Sequence, residues 1–117
     1  MKISFDFDST LSEPEMQELA LKFISKGVDV SVTTSRREKM QGLNFSNEDL
    51  FEVTDKLGIN RDKVVFTNFN PKYQYLKDFD MHFDDDEVEI NDINNFPIKC
   101  IGFFFEPKVN TNLEKQY

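Results

Sequence analysis

The sequence predicts an α/β fold built on a mostly parallel five-stranded sheet, with helices completing three layers. Three observations carry this expectation. Short runs rich in β-branched and aromatic residues alternate with amphipathic helical segments along the chain. The helical segments carry start and stop residues at their ends. The polar clusters fall where the predicted strands finish, which is where ligands bind in parallel sheets.

Ile3, Phe5 and Phe7 alternate with Lys2, Ser4, Asp6 and Asp8, the period of a first strand. Side chains two apart in a strand point the same way, about 6–7 Å apart, so a continuous strand brings Asp6 and Asp8 to one spot. Mg²⁺ takes hard oxygen ligands and one or two carboxylates, which is a reason to gather like charges there. The plain alternative is an exposed acidic strand end. Ser12-Glu-Pro-Glu15 predicts a capped helix start, with Pro14 in the first turn. Met16, Leu19, Ala20 and Phe23 continue that helix, and Gly27 stops it. Residues 28–32 form a second strand ending in Thr33-Thr34-Ser35-Arg36-Arg37. A second helix starts at Ser46, runs through Leu50, Val53 and Leu57, and stops at Gly58. Residues 63–66 make a third strand, and Pro71 opens a short helix carrying Tyr75 and Leu76. Residues 81–83 make a fourth strand leading into Asp84-Asp-Asp-Glu87, and 87–95 a further helix. Ile98 to Phe105 is so apolar that it predicts a fifth strand buried on both faces.

A chain of 117 residues suits one domain, here residues 1–105 followed by a polar tail over 106–117. The net charge of −8 works against passive binding to nucleic acid or anionic membranes. It leaves room for a phosphate-bearing substrate if a metal and a few cations stand at the site. No apolar run approaches the roughly 18 residues of a membrane span, and the N-terminus lacks a signal-peptide layout. The single Cys100 has no internal partner, so the expected setting is reducing and cytoplasmic. A P-loop is absent from the sequence, which argues against that mode of triphosphate binding.

The order and spacing of Asp6-Phe-Asp-Ser-Thr10, Thr33-Thr34-Ser35-Arg36, Lys72 and Phe83-Asp-Asp85 resemble the four motifs of the haloacid dehalogenase-like phosphohydrolase superfamily. Ser9 stands where glycine is commoner. The resemblance spans the chain apart from its tail and implies a Rossmann-like sheet and a Mg²⁺-dependent phosphohydrolase working through an aspartyl-phosphate. It implies Asp6 as nucleophile and Asp8 as the acid and base for the leaving group and water. Thr34 would hold a phosphoryl oxygen, with Ser35, Arg36 and Lys72 also binding substrate. Asp6, Asp8 (through its backbone carbonyl), Asp84 and Asp85 would hold the Mg²⁺. Three alternatives stay open: Thr33 for Thr34, Lys77 for Lys72, and Asp85/Asp86 for Asp84/Asp85.

The intervals between Asp8 and Thr34 and between Thr34 and Lys72 are filled by the predicted elements, which leaves no space for the cap domain usual in that family. An open site implies a large substrate, such as a nucleotide or nucleic-acid end, or cover from a second copy of the chain. Arg36, Arg37 and Lys39 could grip a second phosphate, or simply line a solvated loop. Phe45, Phe69, Tyr73 and Tyr75 could stack on a base, although in a chain with 13 Phe the core is their plainer place. His82 is expected to pack rather than react. A phospho-receiver domain does not fit, because the third strand ends in Thr67-Asn68 with no aspartate. The remaining alternative is a non-catalytic binding or regulatory module that keeps this fold.

Overall fold

The computed structural model describes residues 1–39 and 46–107. Its strands are β1 (Lys2–Phe5), β2 (Asp29–Thr34), β3 (Val64–Phe66), β4 (Met81–Asp84) and β5 (Ile101–Phe104). Its helices are α1 (Pro14–Ser25), α2 (Glu48–Leu57) and α3 (Glu87–Asn95). The strands form one five-stranded sheet in the order β3-β2-β1-β4-β5, and every pairing is parallel. Successive strands step outward on one side of β1 and then, from β4, on the other. The order therefore reverses between β1 and β4, and both of their carboxyl ends carry aspartates.

Register decides which side chains meet. Phe5 lies beside Val32 and Phe83, and Ile3 beside Val30 and Met81, so one face of the sheet is apolar. On that face Phe5 stacks on Phe83 at 5.1 Å, Phe83 on Phe103 at 5.4 Å, and Phe23 of α1 approaches Phe5 at 6.4 Å. Leu50 and Leu57 of α2 join the same core. Ser4, Ser31 and His82 occupy the other face, where the Ser4 hydroxyl pairs with that of Thr33 at 2.7 Å. A second apolar cluster joins Leu76, Phe79 and Cys100 to Ile93 of α3. Burial there pushes the Cys100 thiol up to about 11.

Two expectations about local structure are corrected. Ser12 does not cap α1: Glu13 takes the N-cap position without a side-chain bond, and Ser12 Oγ instead accepts the Ser9 N–H at 3.0 Å. The preceding turn, in which Ser9 holds φ +59°, claims that hydroxyl. Residues 98–105 are not a strand buried on both faces. β5 is an edge strand, with Ile101 55% and Phe104 45% exposed. Gly102 is its buried residue: a Cβ there would lie 3.1 Å from Ile90 Cδ1 of α3. Asn94 brackets the same glycine, accepting its N–H at 2.7 Å and donating to its carbonyl at 3.1 Å. No helix among the described residues is long and apolar enough to cross a membrane.

Replacing Phe5 with alanine removes the ring that packs on both Phe23 and Phe83 and is expected to cost about 3–5 kcal/mol in urea unfolding. A loss below about 1 kcal/mol would show that the aromatic stack does not hold β1 in place.

Candidate functional site

Asp6 follows β1 in extended conformation, and its N–H still bonds the Phe83 carbonyl at 2.9 Å. Its side chain therefore continues the Ser4 face, toward β4. The chain then breaks from the strand into a tight turn over Phe7–Leu11, so the expected convergence of Asp6 and Asp8 on one strand face does not occur. Asp6 is buried, whereas the Asp8 side chain is 58% exposed and turned to Arg36. Ser9 holds φ +59° in this turn, the conformation that glycine adopts without strain. Thr10, four residues beyond Asp6, donates its hydroxyl to Asp6 Oδ2 at 3.2 Å.

Lys72 is the centre of the site. A single turn over Lys72–Tyr75 follows Pro71, and Glu89 of α3 accepts the Lys72 backbone N–H at 3.0 Å. The side chain, 2% exposed, donates to Asp6 Oδ1 at 2.7 Å and to Asp84 Oδ2 at 2.7 Å. His82, two residues before Asp84 and so on the same strand face, bonds Asp84 Oδ2 at 2.8 Å through Nε2. The Asp86 N–H donates to Asp84 Oδ1 at 3.1 Å.

The charges do not balance. Burial pushes the Asp6 carboxyl up to about 8; the Lys72 ammonium opposes this and the charge of Asp84 reinforces it. Burial also pulls on Lys72, but the carboxylates of Asp6 and Asp84 outweigh it and hold the ammonium above its usual value. Asp84 is held below the usual carboxylate range because the His82 hydrogen bond and the charge of Lys72 overcome its desolvation. Burial lowers His82, which keeps the imidazole neutral. Asp85 adds a third carboxylate: oxygens of Asp6, Asp84 and Asp85 lie within 4.8 Å of one another. One ammonium facing three carboxylates leaves a deficit that a divalent cation with a preference for oxygen ligands would offset. The depression above them, about 320 Å³, is lined by Asp6, Asp8, Ser9, Ser35, Lys72 and the acidic run from Asp84.

The end of β2 separates Thr34, its last residue, from Ser35, which lies beyond the strand. Thr34 shares the face of Val32, is fully buried, and accepts the Arg36 N–H at 3.2 Å. Ser35 lines the depression beside Asp6. Arg36 has all its guanidinium N–H groups engaged. Nε and Nη2 clasp Asp8 at 3.0 and 2.7 Å, Nη1 and Nη2 clasp Asp49 at 2.8 and 2.9 Å, and Nη1 reaches Asn47 at 3.3 Å. It therefore positions Asp8 against the start of α2 and has no donor left for a phosphate. These contacts hold the Asp49 carboxyl below its usual range.

The open alternatives separate on the same grounds. Lys77 is exposed while Lys72 is buried. Thr33 is tied to Ser4, and Asp86 caps α3 by accepting the Val88 N–H at 2.9 Å. Tyr73 packs on Phe96 at 4.3 Å, and Tyr75 is partly exposed. Phe69 is 71% exposed rather than in the core, and Phe45 lies outside the described residues. Thr10, Asp49 and Glu89 take roles in the site that the sequence does not assign, and His82 does more than pack, bonding Asp84. His82 was legible as the strand residue two before Asp84, and Thr10 as the last residue of the first motif. Asp49 and Glu89 carry no local signal, because their partners are distant in sequence. No protein family matches this chain in comparison, and neither does any curated protein or solved structure.

The raised Asp6 has a consequence for stability. Between its unfolded value near 3.8 and its folded value near 8, the unfolded chain has released a proton that the folded one retains, so stability falls as pH rises. His82 acts in the opposite sense below its unfolded value of 6.5, which leaves about pH 6.5–8 as the clean window. In EDTA the thermal midpoint is expected to drop across that window, and Mg²⁺ is expected to restore it most at the upper end. A midpoint that is flat or rising in EDTA would show that Asp6 is already ionised without a metal.

Proposed function

We propose that this chain is a Mg²⁺-dependent phosphomonoester hydrolase of the capless haloacid dehalogenase type, with a three-layer Rossmann-like fold. The observation that carries the reading is the buried Asp6–Lys72–Asp84 bridge, with Asp85 beside it, at the point where the strand order reverses. Opposite steps of the strand order, combined with right-handed crossovers, set α3 against α1 and α2 across the sheet. This supports the three layers.

In the proposed reaction Asp6 attacks phosphorus, forming a P–O bond to its carboxylate as the bond to the leaving oxygen breaks. Asp8, steadied at the rim by Arg36 and entering the cycle protonated, gives that oxygen its proton. It then takes one from the water that hydrolyses the aspartyl-phosphate. A carboxylate clasped by a guanidinium keeps further lone pairs for such exchange. Ser35 and Lys72 hold the phosphoryl oxygens, and the carboxylates of Asp6, Asp84 and Asp85 would hold the Mg²⁺. When bound, the Mg²⁺ supplies the positive charge that lets an anionic nucleophile meet an anionic ester.

Phosphate release from glycerol 2-phosphate and an aryl phosphate is expected with Mg²⁺ and not with EDTA. Asp6→Asn is expected to lower kcat by at least about a thousand-fold while the circular dichroism stays native. Turnover indifferent to EDTA or to Asp6→Asn would refute the mechanism. Silence on every ester, with Mg²⁺ bound, would favour the binding-module alternative. Within the site, Ser35→Ala is expected to reduce kcat/KM by about ten-fold. Thr34→Val is expected to shift the unfolding midpoint more than the turnover. The opposite ranking would return the phosphate contact to Thr34.

A further inference from the structure

Phe69 is placed where a phenylalanine is costly twice over. Residues 67–70 form a turn closed by the Asn70 N–H on the Thr67 carbonyl at 3.0 Å, with Asn68 at φ +54° and Phe69 at φ +65°. Two central residues at positive φ make this a type I′ pattern, whose second central position favours glycine. A bulky side chain there is strained. The ring is also 71% exposed and contributes little to the core.

The turn is nonetheless held in place by the phosphate side of the site. The Thr67 N–H donates to the Thr34 carbonyl at 2.9 Å, Asn68 to Arg36 at 3.2 Å, and Phe69 to Ser35 at 2.9 Å. Phe69 thus rides on Ser35, which lines the depression over Asp6 and Lys72. The Arg37 guanidinium stands 5.8 Å from the ring centroid, leaving most of the ring to solvent. A second depression of about 490 Å³, lined by Arg37, Lys39, Phe66 and Asn68 together with Glu38, opens beside the same turn.

We infer that Phe69 is a stacking platform for a nucleobase, so that the phosphoester taken by the adjoining site belongs to a nucleotide unit. The inference rests on the phosphohydrolase proposal for the phosphate end of the ligand. Every base offers a π-face to an aromatic ring, and Arg37 adds positive charge where the sugar–phosphate would pass. The sources of that chemistry are a free nucleotide and the end of a single strand. In either, base and phosphate belong to one nucleotide unit, and Phe69 is tied to the site by its backbone bond to Ser35.

The test measures binding apart from turnover, by calorimetry with Mg²⁺ in the Asp6→Asn protein. The probes are adenosine 5′-monophosphate, a 3′-phosphorylated tetrathymidylate and glycerol 2-phosphate. Phe69→Gly suits the positive φ and is expected to keep the thermal midpoint, to weaken at least one of the two nucleotide probes by about ten-fold, and to leave glycerol 2-phosphate unchanged. Phe69→Tyr keeps a stacking face and is expected to keep nucleotide affinity. The tighter nucleotide probe identifies free nucleotide or strand end as the source. Equal weakening of all three probes, no change on Phe69→Gly, or no nucleotide binding at all would overturn the platform. If nucleotides bind through Phe69 while the wild-type protein hydrolyses no ester, the platform stands and the phosphohydrolase proposal fails.

Discussion

The structure depends on one buried ammonium. Lys72 joins the end of β1 to the end of β4 through Asp6 and Asp84, with both bonds at 2.7 Å and little solvent at either. Desolvating those charges costs several kcal/mol per ion in a protein interior, so the bridge is a costly arrangement rather than a gain in stability. Removing the lysine alone would leave two buried carboxylates facing each other beside a third. Much of the surrounding polar structure serves this bridge. Glu89 holds the Lys72 backbone, Thr10 and the turn after β1 hold Asp6, and His82 and the Asp86 amide hold Asp84.

A second charged centre balances the first at the rim. Arg36 gathers Asp8 from the β1 turn and Asp49 from the start of α2, and stacks over the Phe7 ring at 5.1 Å. The two centres separate the two aspartates of the first motif into different environments. Asp6 is dry, beside an ammonium and pushed up to about 8, while Asp8 stays in water under a guanidinium. Two carboxylates two residues apart can then perform different chemistry, since environment rather than residue type sets the behaviour of each.

Backbone strain is concentrated at the same edge. Among the described residues, the non-glycine positions with positive φ are Ser9, Asn68 and Phe69. Ser9 belongs to the turn that lifts Asp8 away from Asp6. Asn68 and Phe69 belong to the turn bonded to Ser35 and Arg36. Elsewhere among the described residues the chain takes relaxed solutions, with Gly27 and Gly58 at positive φ after α1 and α2. Strain confined to one edge of a sheet is a mark of a place shaped for something other than stability.

The sequence by itself determined the elements and the polar residues gathered at the strand ends. Alternation in Ile3–Phe5, Gly27 and Gly58 as stops, and the run into Asp84 are local signals, and local propensity is what a single chain encodes most directly. Acidic and basic motifs also favour Lys72 over Lys77 and Asp84/Asp85 over Asp85/Asp86. Only the tertiary structure decided that Ser35 rather than Thr34 lines the depression, since that depends on how the chain turns where β2 ends. It also decided that Arg36 is committed to Asp8 and Asp49, that β5 is an edge with exposed Ile101 and Phe104, and that Phe69 stands in solvent. Each of these depends on contacts made only in the folded chain, such as Arg36 with Asp49 and Asp8, 13 and 28 residues away, or on the absence of a neighbouring strand, and neither leaves a trace in nearby sequence.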